Sequence, residues 1–182
     1  DFETSMKLQT SNNLESLLGQ QTSLAAKRIL ITRPRPAAQK LAARLECVGA
    51  VPIVCPLLRI VIPPESDALD AAMRNLPAYN WLAFTSAHGV KAFWRRLAAC
   101  RFDARRLLGC NLAALGFATA RQLRRYGLNA DVSARSAEQL AAAMISKSEG
   151  SFGRVLWPCG DRAFAVLRER LCDAGYAVDD PV

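Results

Sequence analysis

Two hydroxyl-bearing residues stand directly after a short apolar run in the middle of the chain. The run covers residues 81–84, Thr85 and Ser86 follow it, and apolar residues at helical spacing begin at Val90. This succession predicts the strand, turn and helix of one unit in a parallel sheet. In such sheets, ligands bind beyond the carboxyl ends of the strands, beside the N-termini of the following helices. Thr85 and Ser86 are therefore candidate ligand contacts.

Hydroxyl groups in this position can donate hydrogen bonds to a carboxylate or to a leaving hydroxyl group. The free backbone N–H groups at a helix N-terminus favour an anionic ligand. The turn from Gly116 to Thr119 follows the apolar run 112–115 in the same way and leads into a second helix. A simpler role competes at each position, because serine and threonine are also the residues that cap helices. Position alone favours capping, and one residue can do both.

Two further turns carry residues that could contact a ligand. Arg33 follows the apolar run 29–31, and its guanidinium could bind a carboxylate in a bidentate pair. A solvated loop arginine is the equal alternative for Arg33. Gly160 follows the run 155–157 and would act through the shape of its backbone.

The elements that carry these turns alternate between strand and helix along the chain. This alternation predicts an α/β fold with parallel sheets and right-handed crossovers. The chain has 182 residues, of which 51% are hydrophobic, enough for a substantial core. Its net charge of +8 favours an acidic partner: nucleic acid, an anionic lipid surface or a small polyanion.

The sequence lacks the residue patterns that several classes of function require. The six cysteines form no C-x-x-C pair and His88 is the only histidine, so we expect no metal site and reduced thiols in the cytoplasm. No apolar run approaches the roughly 18 residues of a membrane span. No Walker or G-x-G-x-x-G loop, RNA-binding sheet motif or helix-turn-helix appears. Residues 1–27 lack the apolar centre of a signal peptide, and we expect them to be flexible.

An ordered series of short motifs runs along the chain. The motifs are Thr32-Arg33-Pro34, the segment from Trp81 to Val90, the turn from Gly116 to Ala120, Pro158 to Asp161, and Gly175 to Asp179. Each motif is an ordinary strand-to-helix turn, but in order and spacing the series resembles uroporphyrinogen-III synthase from residue 28 to residue 182.

The resemblance implies two flavodoxin-like parallel-sheet domains joined by a two-stranded linker, with the first domain discontinuous and incomplete in this chain. A lone strand-helix-strand unit cannot cover both faces of its sheet. The expected division is a flexible segment at 1–27, the start of domain 1 at 28–56, a linker strand at 57–64, the inserted domain 2 at 65–175, and a return linker strand at 176–182.

The resemblance also implies a reaction. The family cyclises hydroxymethylbilane, a linear tetrapyrrole, to uroporphyrinogen III with inversion of ring D, through an azafulvene and a spiro intermediate and without a cofactor. The substrate is a polycarboxylate, which suits a basic protein and helix N-termini. The expected catalytic residues are Ser86 and Thr119, and the expected substrate-binding residues are Arg33, Thr85, Ser86, Ala87, Gly116, Ala118, Thr119 and Gly160.

The remaining expectations concern partners and completeness. We expect the full-length protein to be a cytoplasmic monomer that binds neither nucleic acid nor membrane. The alternative is a basic α/β module that binds nucleic acid or another polyanion without catalysis. The family continues beyond Pro181-Val182, usually with a tyrosine, so we expect this chain to belong to a longer protein or to be inactive alone.

Overall fold

The computed structural model describes residues 24–62, 66–150, 152–160 and 165–181. These residues divide into two compact units, with the boundary between Val61 and Ile62. That boundary falls inside the predicted linker strand, residues 57–64. Most of the segment expected to be flexible, residues 1–23, lies outside the described part of the chain.

The first unit is a parallel strand-helix-strand motif. Strand β1 (Arg28–Ile31), helix α1 (Arg35–Glu46) and strand β2 (Val51–Val54) follow one another, and Arg28 pairs with Val51 in the parallel register. Pro36 lies in the first turn of α1, where its missing N–H costs no helical hydrogen bond.

One face of this small sheet is covered by α1 and the other face is open. Ile31 packs with Ala38 and Ala42 of α1, whereas Leu30, which points to the opposite face, is 61% exposed. Successive side chains of a strand alternate between faces, and one helix covers only one of them. The described part of this unit therefore leaves apolar surface uncovered, as expected for a lone strand-helix-strand motif.

The second unit is built on a five-stranded parallel sheet. Its strands run in the order β5-β4-β3-β6-β7, and all four pairings are parallel. The predicted α/β class with parallel sheets is confirmed. Counted within the unit, the order is 3-2-1-4-5, a doubly wound order that differs from the 2-1-3-4-5 order of flavodoxin itself. The strands are β3 (Trp81–Phe84), β4 (Asn111–Leu115), β5 (Val132–Ala134), β6 (Arg154–Leu156) and β7 (Ala177–Asp179).

Helices cover both faces of this sheet. The central strand β3 is buried on both sides, because Leu82 and Phe84 join one apolar cluster and Trp81 and Ala83 join the other. Helices α2, α3 and α4 contribute to the first cluster, and α5 and α6 to the second. The helices are α2 (Asp67–Arg74), α3 (Ala87–Ala99), α4 (Phe117–Arg124), α5 (Ala137–Lys147) and α6 (Val166–Asp173), with short 3-10 turns at Leu76–Ala78 and Ala104–Leu107.

The segment expected to form the return linker contributes a strand to the sheet of the second unit. Strand β7 pairs with β6 over its whole length, with Val178 opposite Val155. The chain then continues to Pro181, whose carbonyl accepts a hydrogen bond from the Cys159 N–H at 3.3 Å. The expected domain division stays a prediction. None of the described helices is both long enough and apolar enough to cross a lipid bilayer.

Candidate functional site

The strand order places the carboxyl ends of β3 and β6 side by side. From β3 the chain winds outward through β4 to β5, and then returns to β6 on the other side of β3. This reversal is the topological switch point of the sheet, and crevices at such points are where open α/β sheets bind ligands. The turns that follow β3 and β6 therefore form the candidate site.

Ser86 caps the helix that follows β3. Its Oγ accepts a hydrogen bond from the Gly89 N–H at 2.9 Å, and its backbone is extended, with φ −150° and ψ 150°, as an N-cap requires. This bond uses a lone pair of the hydroxyl oxygen and leaves its hydrogen to donate elsewhere. The side chain is exposed, so Ser86 can cap α3 and contact a ligand at once.

Gly89 allows α3 to approach the loop after β6 closely. A Cβ at this position would lie 3.2 Å from the carbonyl oxygen of Pro158 and 3.3 Å from Ser86 Oγ. Both distances are tighter than ordinary van der Waals contact. The close approach brings the N-terminus of α3 against the end of β6 at the switch point.

Thr85 is held by a tryptophan from the neighbouring strand end. The indole Nε1–H of Trp157 donates a hydrogen bond to Thr85 Oγ1 at 3.2 Å. Trp157 is 2% exposed, whereas Thr85 is partly exposed. Trp157 was not among the site residues expected from the sequence. Its one available signal was a tryptophan at a buried strand end, where the indole N–H needs an acceptor.

The turn after β4 presents its backbone and buries its hydroxyl. Gly116 is the N-cap of α4 with φ 79° and ψ 155°, a conformation that residues with a Cβ rarely adopt. Phe117 and Ala118 are exposed, so the start of α4 is open to solvent. Thr119 is only 2% exposed, and its expected catalytic role stays a prediction against which this burial counts.

The turn after β6 brings Gly160 and Cys159 to the same edge. Gly160 is exposed, as a backbone contact with a ligand would require. Burial and the neighbouring Asp180 carboxylate raise the pKa of the Cys159 thiol, which keeps it protonated and unreactive at neutral pH. Asp161, the last residue of the motif Pro158 to Asp161, lies outside the described residues.

Arg33 belongs to the first unit. It lies exposed in the loop between β1 and α1, so its guanidinium is open to solvent and available to a carboxylate. The other expected site residues, Thr85, Ser86, Ala87, Gly116, Ala118, Thr119 and Gly160, all lie along the carboxyl edge of the sheet in the second unit.

The groups that meet at the switch point suit binding more than proton transfer. They are two hydroxyls held by fixed N–H donors, the free N–H groups of a helix start, and a buried indole. Helix N-termini favour carboxylates. Among the described residues, no cluster of three or more histidine, cysteine or carboxylate side chains is placed to hold a metal ion.

Comparison with known proteins identifies relatives across most of the chain. The family model described as Uroporphyrinogen-III synthase HemD matches residues 39–182. Porphyrin biosynthesis protein HemD of Ruminiclostridium josui is 29% identical over 160 residues, 87% of this chain and 29% of that protein. Uroporphyrinogen-III synthase of Synechococcus elongatus is 35% identical over 108 residues, 59% of this chain and 40% of that protein.

The fold has a solved counterpart. A mutant uroporphyrinogen III synthase from Thermus thermophilus aligns with a TM-score of 0.65 at 19% identity, covering 84% of this chain and 60% of that one. The wild-type enzyme of the same organism aligns with a TM-score of 0.56 at 22% identity, over 84% of this chain and 59% of that one. At these identities the likeness concerns the fold. The chain spans less than two thirds of the length of each of these relatives.

Proposed function

Because the chain belongs to the uroporphyrinogen-III synthase family, we propose that its protein cyclises hydroxymethylbilane to uroporphyrinogen III with inversion of ring D. The observation that carries the proposal is the set of groups that meet at the switch point. Two hydroxyl groups and the N-terminus of α3 meet there at the carboxyl ends of β3 and β6. A ligand with many carboxylates matches such a set of groups.

The reaction needs neither an oxidant nor a metal. The terminal hydroxyl of the substrate leaves as water after protonation, which produces an azafulvene. Ring D attacks that carbon through its substituted position, and the resulting spiro intermediate opens and closes again with ring D inverted. Because the substrate is already reactive, the protein contributes chiefly by holding one geometry against the uncatalysed closure to the other isomer.

The described residues contribute in two ways, by donating hydrogen bonds from hydroxyl groups and by contacting the substrate through the backbone. Thr85 and Ser86 donate their hydroxyl hydrogens to a substrate carboxylate or to the leaving hydroxyl. The accessible backbone at Gly116, Ala118 and Gly160 contacts the substrate through its shape and its N–H groups. Ser86 is the better candidate for the leaving hydroxyl than Thr119, because it is exposed where Thr119 is buried.

The wider properties of the protein follow the same proposal. We propose a cytoplasmic monomer whose partner is a small tetrapyrrole polycarboxylate and not a nucleic acid. The six cysteines, none in a C-x-x-C pair, agree with a reducing compartment. The net charge of +8 agrees with a polyanionic substrate and raises its local concentration.

Binding and isomer analysis test the proposal separately. The purified chain is titrated with uroporphyrin III, the stable oxidised form of the product, and bound porphyrin is followed by fluorescence anisotropy. Hydroxymethylbilane is then added to the chain, and the oxidised products are separated into type I and type III isomers. We expect binding, with turnover below that of a full-length relative. Absence of both binding and type III product would contradict the proposal.

The same experiment examines two other expectations. Full turnover by the chain alone would overturn the expectation that it is inactive by itself, while supporting the function. Binding of a DNA or RNA oligonucleotide in place of uroporphyrin III, with a steep loss of affinity in salt, would favour the nucleic-acid alternative.

A further inference from the structure

We propose that Trp157 is a positioning residue that fixes the Thr85 hydroxyl as a hydrogen-bond donor to a substrate carboxylate. The inference rests on the proposed function, because it assigns a role within the same crevice. Trp157 acts on the substrate through the Thr85 hydroxyl and does not itself need to touch the substrate.

Trp157 and Thr85 lie on the same face of the sheet. Trp81 and Val155 are paired in the register of β3 and β6, so the residues two and four positions later point the same way. Thr85 and Trp157 therefore both project toward the face covered by α5 and α6. The ring of Trp157 packs into the apolar cluster there, and its N–H reaches the hydroxyl at the edge of that cluster.

The chemistry of the indole decides the direction of the bond. An indole nitrogen can only donate, so Thr85 Oγ1 must accept. The hydroxyl has one hydrogen, and its angle to the indole directs that hydrogen away from Trp157. Because Trp157 is 2% exposed, its N–H has little access to water and holds its acceptor firmly. This bond leaves the Thr85 hydrogen free to point toward the partly exposed side, where the ligand is expected.

A second tryptophan makes the same kind of bond at the other end of the strands, where β3 begins. Trp81, which is 1% exposed, donates its Nε1–H to Ser148 Oγ at 3.0 Å. That hydroxyl also donates to the Met144 carbonyl at 3.0 Å, so its hydrogen is used inside the protein. Both indoles belong to the same apolar cluster. Trp81→Phe is therefore a matched control for burial and for bond type, placed away from the crevice.

The first measurement is a double-mutant cycle with uroporphyrin III as the probe. Trp157→Phe keeps a ring in the core and removes the donor, and Thr85→Val keeps the shape and removes the hydroxyl. We expect each to weaken binding by about three- to tenfold, the range of one neutral hydrogen bond, and the double variant to be no weaker than Thr85→Val. Thr85→Ser, which keeps the hydroxyl, is expected to retain most of the affinity, and Trp81→Phe to leave it unchanged.

The second measurement needs no ligand. In a proton–nitrogen correlation spectrum of the chain, Thr85→Val is expected to shift the indole signal of Trp157 and to leave that of Trp81 in place. This spectrum decides whether the bond exists in solution even if Trp157→Phe does not fold.

The outcomes separate this inference from the function it rests on. If wild type binds uroporphyrin III but Trp157→Phe binds equally well, or its effect adds in full to that of Thr85→Val, the positioning role is overturned and the proposed function stands. If Trp157→Phe and Trp81→Phe weaken binding alike, the effect is structural and the role is again overturned. If wild type neither binds the porphyrin nor forms type III product, both fall.

Discussion

Tyr79 donates its phenolic hydrogen to Asp179 Oδ2 at 2.5 Å, which joins the turn before β3 to the edge strand β7. Arg154, at the start of β6, contacts the same carboxylate oxygen at 2.7 Å, and its guanidinium lies 4.9 Å from the centre of the Tyr79 ring. Three separate segments of the second unit therefore meet at one carboxylate. This contact ties β7 to the unit more firmly than the pairing of two short strands alone would.

The Tyr79 contact predicts a loss of stability in alkali. Burial and the hydrogen bond to Asp179 raise the pKa of Tyr79 from 10.0 to about 12. The neutral phenol is thus favoured in the folded state, and its contribution is complete below pH 10 and lost as pH rises through about 12. We expect the free energy of unfolding to fall by on the order of 1–2 kcal/mol across that window, since solvent at the partly exposed carboxylate screens the contact. Urea denaturation at a series of pH values measures it.

Tyr79→Phe removes the group that produces this pH dependence. The variant is expected to be less stable at neutral pH by about 1–3 kcal/mol, because the partly buried Asp179 carboxylate loses one of its hydrogen bonds. Its free energy of unfolding should also fall less steeply with pH in the alkaline range, which is the alkaline slope. Tyr126→Phe, which removes another phenol from the same unit, is the control. An unchanged alkaline slope in Tyr79→Phe would show that the loss arises elsewhere.

Replacement of Ser86 separates capping from ligand binding. Ser86→Ala removes the acceptor of the Gly89 N–H and is expected to cost about 1 kcal/mol of stability. Ser86→Asp keeps a capping oxygen, so stability should be retained, but its charge should repel a polycarboxylate and weaken uroporphyrin III binding.

Ser136 provides the matched control for that test. It caps α5 in the same way, by accepting from the Gln139 N–H at 3.2 Å, but it follows β5, at the far edge of the sheet from the switch point. Ser136→Ala should lose similar stability and bind the porphyrin as wild type does. Equal losses of affinity in the two alanine variants would show that Ser86 acts only through the fold.

Gly116 is predicted to matter through its backbone. Its φ of 79° with ψ 155° lies where a Cβ costs about 1–3 kcal/mol, although a Cβ there would meet no neighbouring atom. Gly116→Ala should lower the urea midpoint and weaken porphyrin binding. Gly150→Ala is the control, since Gly150 also has a positive φ, 80°, with free space around it but lies in the loop after α5. If Gly116→Ala binds like Gly150→Ala, the turn after β4 is not a contact.

The ion pair between Asp70 and Arg96 is predicted to stabilise the packing of α2 on α3. Arg96 donates to both carboxylate oxygens, and these bonds hold the pKa of Asp70 below its usual value. The pair's contribution is present above the unfolded pKa of about 3.9 and is lost as pH falls through the lower folded value. Arg96→Gln should lower the free energy of unfolding by about 1–3 kcal/mol at neutral pH. In this variant the urea midpoint should also fall less steeply as the pH is lowered into the acid range.

The control for this pair is an ion pair in solvent. Arg105 contacts Asp103 with a side chain that is 91% exposed, and exposed pairs contribute little. Arg105→Gln should therefore leave the urea midpoint unchanged within error. A midpoint for Arg96→Gln equal to that of Arg105→Gln would contradict the prediction.

The features that the sequence predicted correctly depend on neighbours within a few residues. The cap at Ser86 involves an N–H three positions ahead, and the alternation of strand and helix follows from local apolar spacing. The same spacing recurs at Ser136, whose Oγ accepts from the Gln139 N–H.

The features that only the tertiary structure decided depend on which strands are neighbours. Thr85 and Trp157 are 72 positions apart, and nothing in local spacing says that β6 pairs with β3 and not with β5. The burial of Thr119 and the pairing of β7 with β6 are likewise set by packing between distant segments. The sequence by itself determined where each hydroxyl turn lies along the chain. The order of the strands, which follows from covering both faces of one sheet, decided which turns meet.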